Sequence, residues 1–337
     1  MLIKPDILIN RFCFLELEVN IEKSQLLFQQ KRYQETIDTC NAILANDGDD
    51  VEALTLKGKS LLATNQIAEA RDSFNQILSL QPDNYELLKD LGNSYYNAGD
   101  YQTAKDYYQK SLSINKSYAR ALTMLGSSEI NLGNQQEGLS FLVKATECDP
   151  KLAPAWINLA NTSIQMGKVI EAEDACRQAI EINPNIANAH FLLSTSLVIQ
   201  KKIQDAEHHL RKTIELDPGF AQAHLNLGLV LKDLGQLEEA ELSTRKAIEL
   251  NPNLFNSHFL LANILIGQKR LGEAEQALRK TIELNPSFAQ AHSNLAEIFR
   301  EAGNYQEAEL AARKAIELKP DLAEAHSNLG NILKNLG

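Results

Sequence analysis

Seven of the nine prolines stand at Pro82, Pro150, Pro184, Pro218, Pro252, Pro286 and Pro320, and every interval between them is 34 residues, or 68 where Lys116 takes the vacant place. A fixed period of this length marks an array in which one small supersecondary unit is copied along the chain. It overrides the roughly two compact domains that 337 residues would otherwise suggest. Five of the seven histidines, His190, His224, His258, His292 and His326, keep the same interval. With each proline as position 32, eight full units run over residues 51–322, a divergent unit fills 17–50, and the first helix of a further unit fills 323–337. Residues 1–16 are read as a degenerate helix that covers the end of the array. The apolar run from Ile7 to Val19 is broken by Arg11, Glu16 and Glu18, has no signal-peptide cleavage pattern, and is too short to span a bilayer.

The unit that starts at Ala221 shows what the period encodes. Leu225, Leu227, Val230, Leu231 and Leu234 fall near i, i+3, i+4 spacing, which predicts a helix buried along one stripe. Gly235 is suited to the left-handed cap that ends it, and Leu237 to Leu250 forms a second helix. Gly228 and Ala240 fall where the two antiparallel helices cross, and a larger side chain there would force them apart. Asn251-Pro252 stops the second helix, because the residue before proline is driven out of the α region. Such a hairpin has too little core of its own and must bury its faces against the next one.

These positions carry a resemblance. The unit has His224, Leu227, Gly228, Leu231, Ala240, Ala247 and Pro252 at positions 4, 7, 8, 11, 20, 27 and 32, with Thr244 departing from the large residue usual at 24. The sequence resembles a tetratricopeptide repeat (TPR) protein over nearly its whole length. The resemblance implies an all-α fold, a right-handed α-solenoid (superhelix) of tandem 34-residue helix-turn-helix units. It also implies a non-enzymatic scaffold that binds an extended polypeptide in a concave groove.

Charge and motifs narrow the function. Lys plus Arg number 33 against 44 Asp plus Glu, a net charge of -11, and aromatics are only 6%. Neither a nucleic acid nor an anionic membrane is expected as a partner, since both need a positive field and the former often needs stacking platforms. Cys13, Cys40, Cys148 and Cys176 lack C-x-x-C spacing and the density of a secreted scaffold, so reduced thiols and a cytoplasmic location are expected. Gly58-Lys59-Ser60 resembles the tail of a phosphate-binding loop, but Ala53 stands where its first glycine belongs and no strand precedes it. The periodic histidines sit one per repeat, too far apart to share a zinc ion, and are assigned to packing at position 4 in place of Trp156. His208-His209 is assigned to a solvated helix surface. Glu173/Arg177, Glu207/Arg211, Glu241/Arg245, Glu275/Arg279 and Glu309/Arg313 place Glu four residues before Arg, which suits an outer solvated face. No catalytic motif occurs, so neither an enzyme nor a cofactor or metal is expected.

From the resemblance, positions 2, 5, 6, 9, 12 and 13 of each first helix face the groove. Positions 6 and 9 hold Asn158, Asn161, Asn226, Asn263, Asn294, Asn328 and Asn331, with Asn93 upstream. An amide offers acceptor and donors together, the complement of a peptide group, so a row of them suits an extended backbone. The row resembles the asparagine ladder in the repeat region of O-linked N-acetylglucosamine transferases, most closely in His292 to Ala296 (H-S-N-L-A) and His326 to Gly330 (H-S-N-L-G). Two readings stand: the amides hold a ligand, or they bond their own helix or the next one. Leu192 and Leu260 interrupt the row. A carboxylate clamp for an acidic chain terminus is not expected: Lys89 and Asn93 match it, but Met124, Pro154 and Asn158 do not. An alternative function is the substrate-recruiting array of a glycosyltransferase or sulfotransferase whose catalytic domain lies elsewhere.

The two ends of the array are expected to differ from its middle. Leu329, Ile332, Leu333 and Leu336 give the last helix the apolar face of an internal repeat, so self-association through that helix, or a following helix, is expected. The unit at 17–50 carries Ser24, Thr36 and Gly48 where a small residue, alanine and proline are usual. Stability in a linear array is roughly a sum of unit and interface contributions, so this unit opens first. Hydrogen exchange checks it: amides of 17–50 should exchange faster than those of 221–254, and equal protection would contradict the ranking.

Overall fold

The computed structural model describes residues 20–336; the helix expected over 1–16, and Cys13 with it, lie outside the described residues. Among the described residues the chain is all-α, with nineteen helices and no strand. It divides into two compact bodies, one up to Met166 and one from Gly167.

Within each body the helices follow the period of the sequence. The pair Ala221–Asp233 and Leu237–Leu250 occupies positions 1–13 and 17–30, and the same positions recur in Phe255–Gly267 with Leu271–Leu284 and in Tyr85–Asn97 with Tyr101–Ile114. The second helix stops before the proline: Asn251 is extended, at φ -143° and ψ 90°. Consecutive helices pack on each other, and a first helix also touches the first helix of the next unit. Burial is therefore continuous from unit to unit. In one core Leu210 of one hairpin, Leu227 and Leu231 of the next, and Leu260 and Ile264 of a third lie together.

Two positions set the hairpin geometry. At position 20, Ala70, Ala104, Ala206, Ala240, Ala274 and Ala308 are completely buried, because the first helix passes directly over them. At position 8 a Cβ on Gly92 would come within 2.5 Å of the Tyr108 ring, and one on Gly58 within 2.4 Å of Phe74, so glycine there makes room for an aromatic at position 24. In the unit of Ala119–Asn131 both positions are glycine. A Cβ on Gly126 would stand 2.8 Å from the Gly138 carbonyl, and one on Gly138 would stand 2.7 Å from the Gly126 carbonyl. Gly58-Lys59-Ser60 therefore lies inside a helix, with Gly58 under Phe74 and Ser60 buried, and offers no phosphate cradle.

Position 15 closes the first helix with a left-handed residue in unit after unit. Gly99, Gly133, Gly167, Gly235 and Gly303 hold φ between 72° and 90°, as the glycine cap at Gly235 leads one to expect. The same conformation is imposed on Lys31, Asn65, Lys201 and Lys269, at φ 59° to 63°. The turn is dictated by the hairpin, and a side chain with a Cβ is held there against its own preference.

Polar contacts lock neighbouring units. Completely buried Glu129, at a position where the repeat favours a large apolar residue, has Lys105 Nζ of the preceding unit 2.6 Å away and accepts a hydrogen bond from Asn134 at 2.8 Å. One unit earlier, Arg71 lies 3.6 Å from the Tyr95 ring centroid, and Tyr95 stacks on Tyr107. At the far end, Ile332 is buried against Ala308 and Ala312 with Leu329 beside it, while Leu333 and Leu336 are exposed.

Two substitutions with opposite signs test this geometry. Gly138→Ala should lower stability by about 1–2 kcal/mol, because the crowding of backbone on backbone outweighs the helix propensity gained. Lys269→Gly should raise it by about 1 kcal/mol by relieving the left-handed strain. Denaturant unfolding measures both, and a stabilising Gly138→Ala would show that the helix separation is not set at this contact.

Candidate interaction face of the first helices

The asparagines lie on the first helices, and Asn93, Asn158, Asn226, Asn263, Asn294 and Asn328 are each drawn into a hydrogen bond with another amide, a hydroxyl or a carbonyl. Asn158, at position 6, donates from Nδ2 to Ser127 Oγ, at position 9 of the preceding unit, at 3.1 Å. Asn294 donates to Asn263 Oδ1 at 2.8 Å in the same relation, and Asn328 donates to the Ser293 carbonyl and hydroxyl at 3.2 and 3.3 Å. Asn93 and Asn226 bond within their own units: Asn93 Oδ1 accepts from Tyr108 at 2.9 Å and Asn226 Oδ1 from Gln222 at 3.0 Å. Asn161 and Asn331 are exposed. Leu192 and Leu260, which break the row, are buried, so position 6 turns into the core in those units.

Two clefts result, one in each body. The first, of about 220 Å³, is lined by Tyr96, Ser127, Asn131, Asn158 and Asn161 and carries no charged residue. Asn131, at position 13, donates to the Tyr96 hydroxyl and the Ser127 carbonyl, both at 2.9 Å. Position 13 is one of the inward positions, so the same periodicity that marked Asn158 could have marked Asn131. The second cleft, of about 280 Å³, gathers Asn263, Asn294 and Asn328 with Glu297, Glu301 and Glu324. The row is thus brought together in part: Asn158 with Asn161, and Asn263 with Asn294 and Asn328. Lys89, the one cation that fitted a carboxylate clamp, is paired with Asp90 beside it.

The periodic residue at position 4 has a role beyond packing. His190, His224, His258, His292 and His326 each place Nε2 2.8–3.2 Å from the carbonyl of the proline six residues earlier, and Trp156 donates to the Pro150 carbonyl at 3.0 Å. A carbonyl can only accept, so Nε2 carries the proton. The ring thereby ties each first helix to the loop before it.

His209 corrects the expectation of a solvated histidine pair. His208 is exposed, but His209 is half-buried and its Nδ1 lies 3.0 Å from Nδ1 of buried His190. Since His190 is protonated on Nε2, its Nδ1 accepts and His209 donates. Burial, followed by the repulsion of His190, lowers the His209 pKa to about 4.

The glutamate–arginine pairs also need correction. All five form, but Glu173 is buried, and besides Arg177 it accepts from Gln200 at 2.6 Å and Lys202 at 3.0 Å in the following unit. The Arg177 hydrogen bond above all holds its carboxyl down at about 2. Glu241 likewise accepts from Arg270 of the next unit at 2.6 Å. These carboxylates join units, whereas Glu275 and Glu309 match the solvated reading. Cys40 and Cys176 are buried and Cys148 is exposed, and burial pushes the Cys176 thiol up to about 12. Among the described residues no group of three or more His, Cys, Asp or Glu is placed to hold a metal ion, and no helix is long and apolar enough to cross a membrane.

A ladder of helical hairpins with a small residue at 8, alanine at 20 and proline at 32 defines a class of repeat protein. Tetratricopeptide repeat profiles match residues 55–119, 89–153 and 259–323, and a second such profile matches 153–186 and 221–254. The chain belongs to the tetratricopeptide repeat family. No curated protein matches it in sequence. Among solved structures, the APC/C hetero-tetramer Cut9–Hcn1 matches with a TM-score of 0.61 at 17% identity, over 89% of this chain and 59% of that one. The chain therefore spans about 59% of that relative's length. YrrB, described as a TPR protein with an unusual peptide-binding site, gives 0.49 at 25% identity over 55% of this chain and 96% of its own. MamA gives 0.45 at 26% identity over 48% and 95%.

The histidine pair predicts an acid-sensitive step. The folded-state pKa of His209 lies below the ordinary 6.5, so the unfolded chain binds more protons between pH 6.5 and about 4. The stabilisation is complete above pH 6.5 and is lost as the pH falls towards 4. Wild type should lose on the order of 2 kcal/mol more between pH 7 and 4.5 than His209→Gln does. Parallel denaturation curves at the two pH values check this, and equal losses would show that the pair does not titrate in this range.

Proposed function

We propose that the chain is a non-catalytic scaffold that binds an extended segment of another protein along its first helices. The amides of Asn158, Asn161, Asn263, Asn294 and Asn328 would meet that segment's backbone. The pairing of Asn294 with Asn263 supports this reading. The bond between them uses one donor of Asn294 and the carbonyl of Asn263. It leaves an amide carbonyl on one residue and an amide NH2 on the other, side by side at a cleft. A peptide group presents the matching donor and acceptor, and neither is selective for side chains. The bond also fixes the orientation of both amides before a ligand arrives, which reduces the entropy lost on binding.

Asn93 and Asn226 accept from Tyr108 and Gln222 of their own units instead of pairing with a neighbouring unit, and are not part of this proposal. Asn331, exposed on the last helix, remains a candidate at the edge of the face. Short peptides selected from a random displayed library on the immobilised chain provide the probe. Asn263→Ala, Asn294→Ala and Asn328→Ala combined should weaken such a peptide about tenfold or more by calorimetry, with helicity and melting temperature nearly unchanged. Undiminished affinity in the triple variant would show that these amides do not hold the segment.

A further inference from the structure

We propose that the cleft bounded by Phe255–Gly267, Ala289–Glu301 and Ala323–Leu336 receives a lysine or arginine side chain of the bound segment, a step that rests on reading this face as a peptide-binding surface. Its lining holds three glutamates, Glu297, Glu301 and Glu324, and no lysine or arginine. Arg300 pairs with Glu297 from the same helix, while among the described residues no ion pair engages Glu301 or Glu324. Both are exposed, so they keep their hydration until a cation arrives.

The wall beside the carboxylates is apolar, made by Ile266, Leu271 and Ile298. An apolar wall that ends in carboxylates suits a side chain with an aliphatic stem and a cationic tip, which buries the stem and keeps the charge near water. The paired amides of Asn263 and Asn294 open on the same cleft, so a segment held there by its backbone would place one side chain among the glutamates.

Three other clefts set this one apart. The cleft at Asn158 is uncharged. Two clefts 34 residues apart balance their charges, with Arg211 and Lys246 against Glu215 and Glu239, and Arg245 and Lys280 against Glu249 and Glu273. A fifth cleft, at Asp83 and Glu86, is also acidic but is lined by none of the asparagines paired between units, so the cleft at Glu301 alone joins charge of a single sign to such a pair. The net charge of -11 adds an attraction for a cationic segment at long range.

The experiment uses the full chain and the peptides selected on it. Each lysine or arginine of a selected peptide is replaced by glutamine, and binding is measured to wild type, to Glu301→Gln/Glu324→Gln and to Glu238→Gln as a control outside the cleft. One basic residue should be worth about tenfold in affinity to wild type and to the control, and little to the double variant. Peptides that need the asparagines but bind the double variant as tightly as wild type would overturn the cationic subsite and leave the scaffold reading intact. Failure to select any peptide would sink both. A calcium titration that gives heat dependent on Glu301 and Glu324 would assign the cleft to a metal ion and overturn the proposal.

Discussion

Backbone pressed against backbone, where the two helices of a hairpin cross, is the contact on which the other features depend. At position 20 the eight full units hold alanine or, in one, glycine, and at Gly58 and Gly92 glycine at position 8 yields its volume to an aromatic. With the helices this close, the connection is short, and its middle residue must take a left-handed conformation whether it is glycine or lysine. The loop to the next unit then lies within reach of the position 4 ring, which donates to the proline carbonyl. Widening the crossing would disturb the turn, the loop and the seating of the next first helix together.

The architecture was almost wholly legible in the sequence. Proline spacing placed the units, and the Gly235 cap and Asn251-Pro252 stop placed helix ends that the structure reproduces at Asp233, Leu237 and Leu250. Such features are local: each follows from the conformational limits of one or two residues. What the sequence hid are contacts between side chains of different helices. His209 looked like a surface residue because its helix face is polar, and only the packing brings it against His190. Glu173 fitted a surface pair with Arg177 four residues on, yet the following unit also delivers Gln200 and Lys202 to it.

The asparagine row shows the same limit at finer scale. The period identified the residues, but the partner of each amide depends on what stands at position 9 of the unit before. Ser127 and Asn263 can accept a hydrogen bond there, whereas Asn226 turns to Gln222 of its own helix. A repeated sequence therefore gives a repeated backbone and a face whose chemistry changes from unit to unit. Near Asn158 that face is neutral, and near Asn294 it is acidic.

Packing between consecutive helices also bears on how the chain reaches this structure. Within each body, the helix contacts join elements that are adjacent in sequence or one step removed. Contacts of this kind close short loops, so little chain entropy is lost before apolar surface begins to be buried. A hairpin needs only itself and its neighbour to begin burying apolar surface. The units can therefore condense one after another as the polypeptide leaves the ribosome, with each finished hairpin serving as the template on which the next one settles.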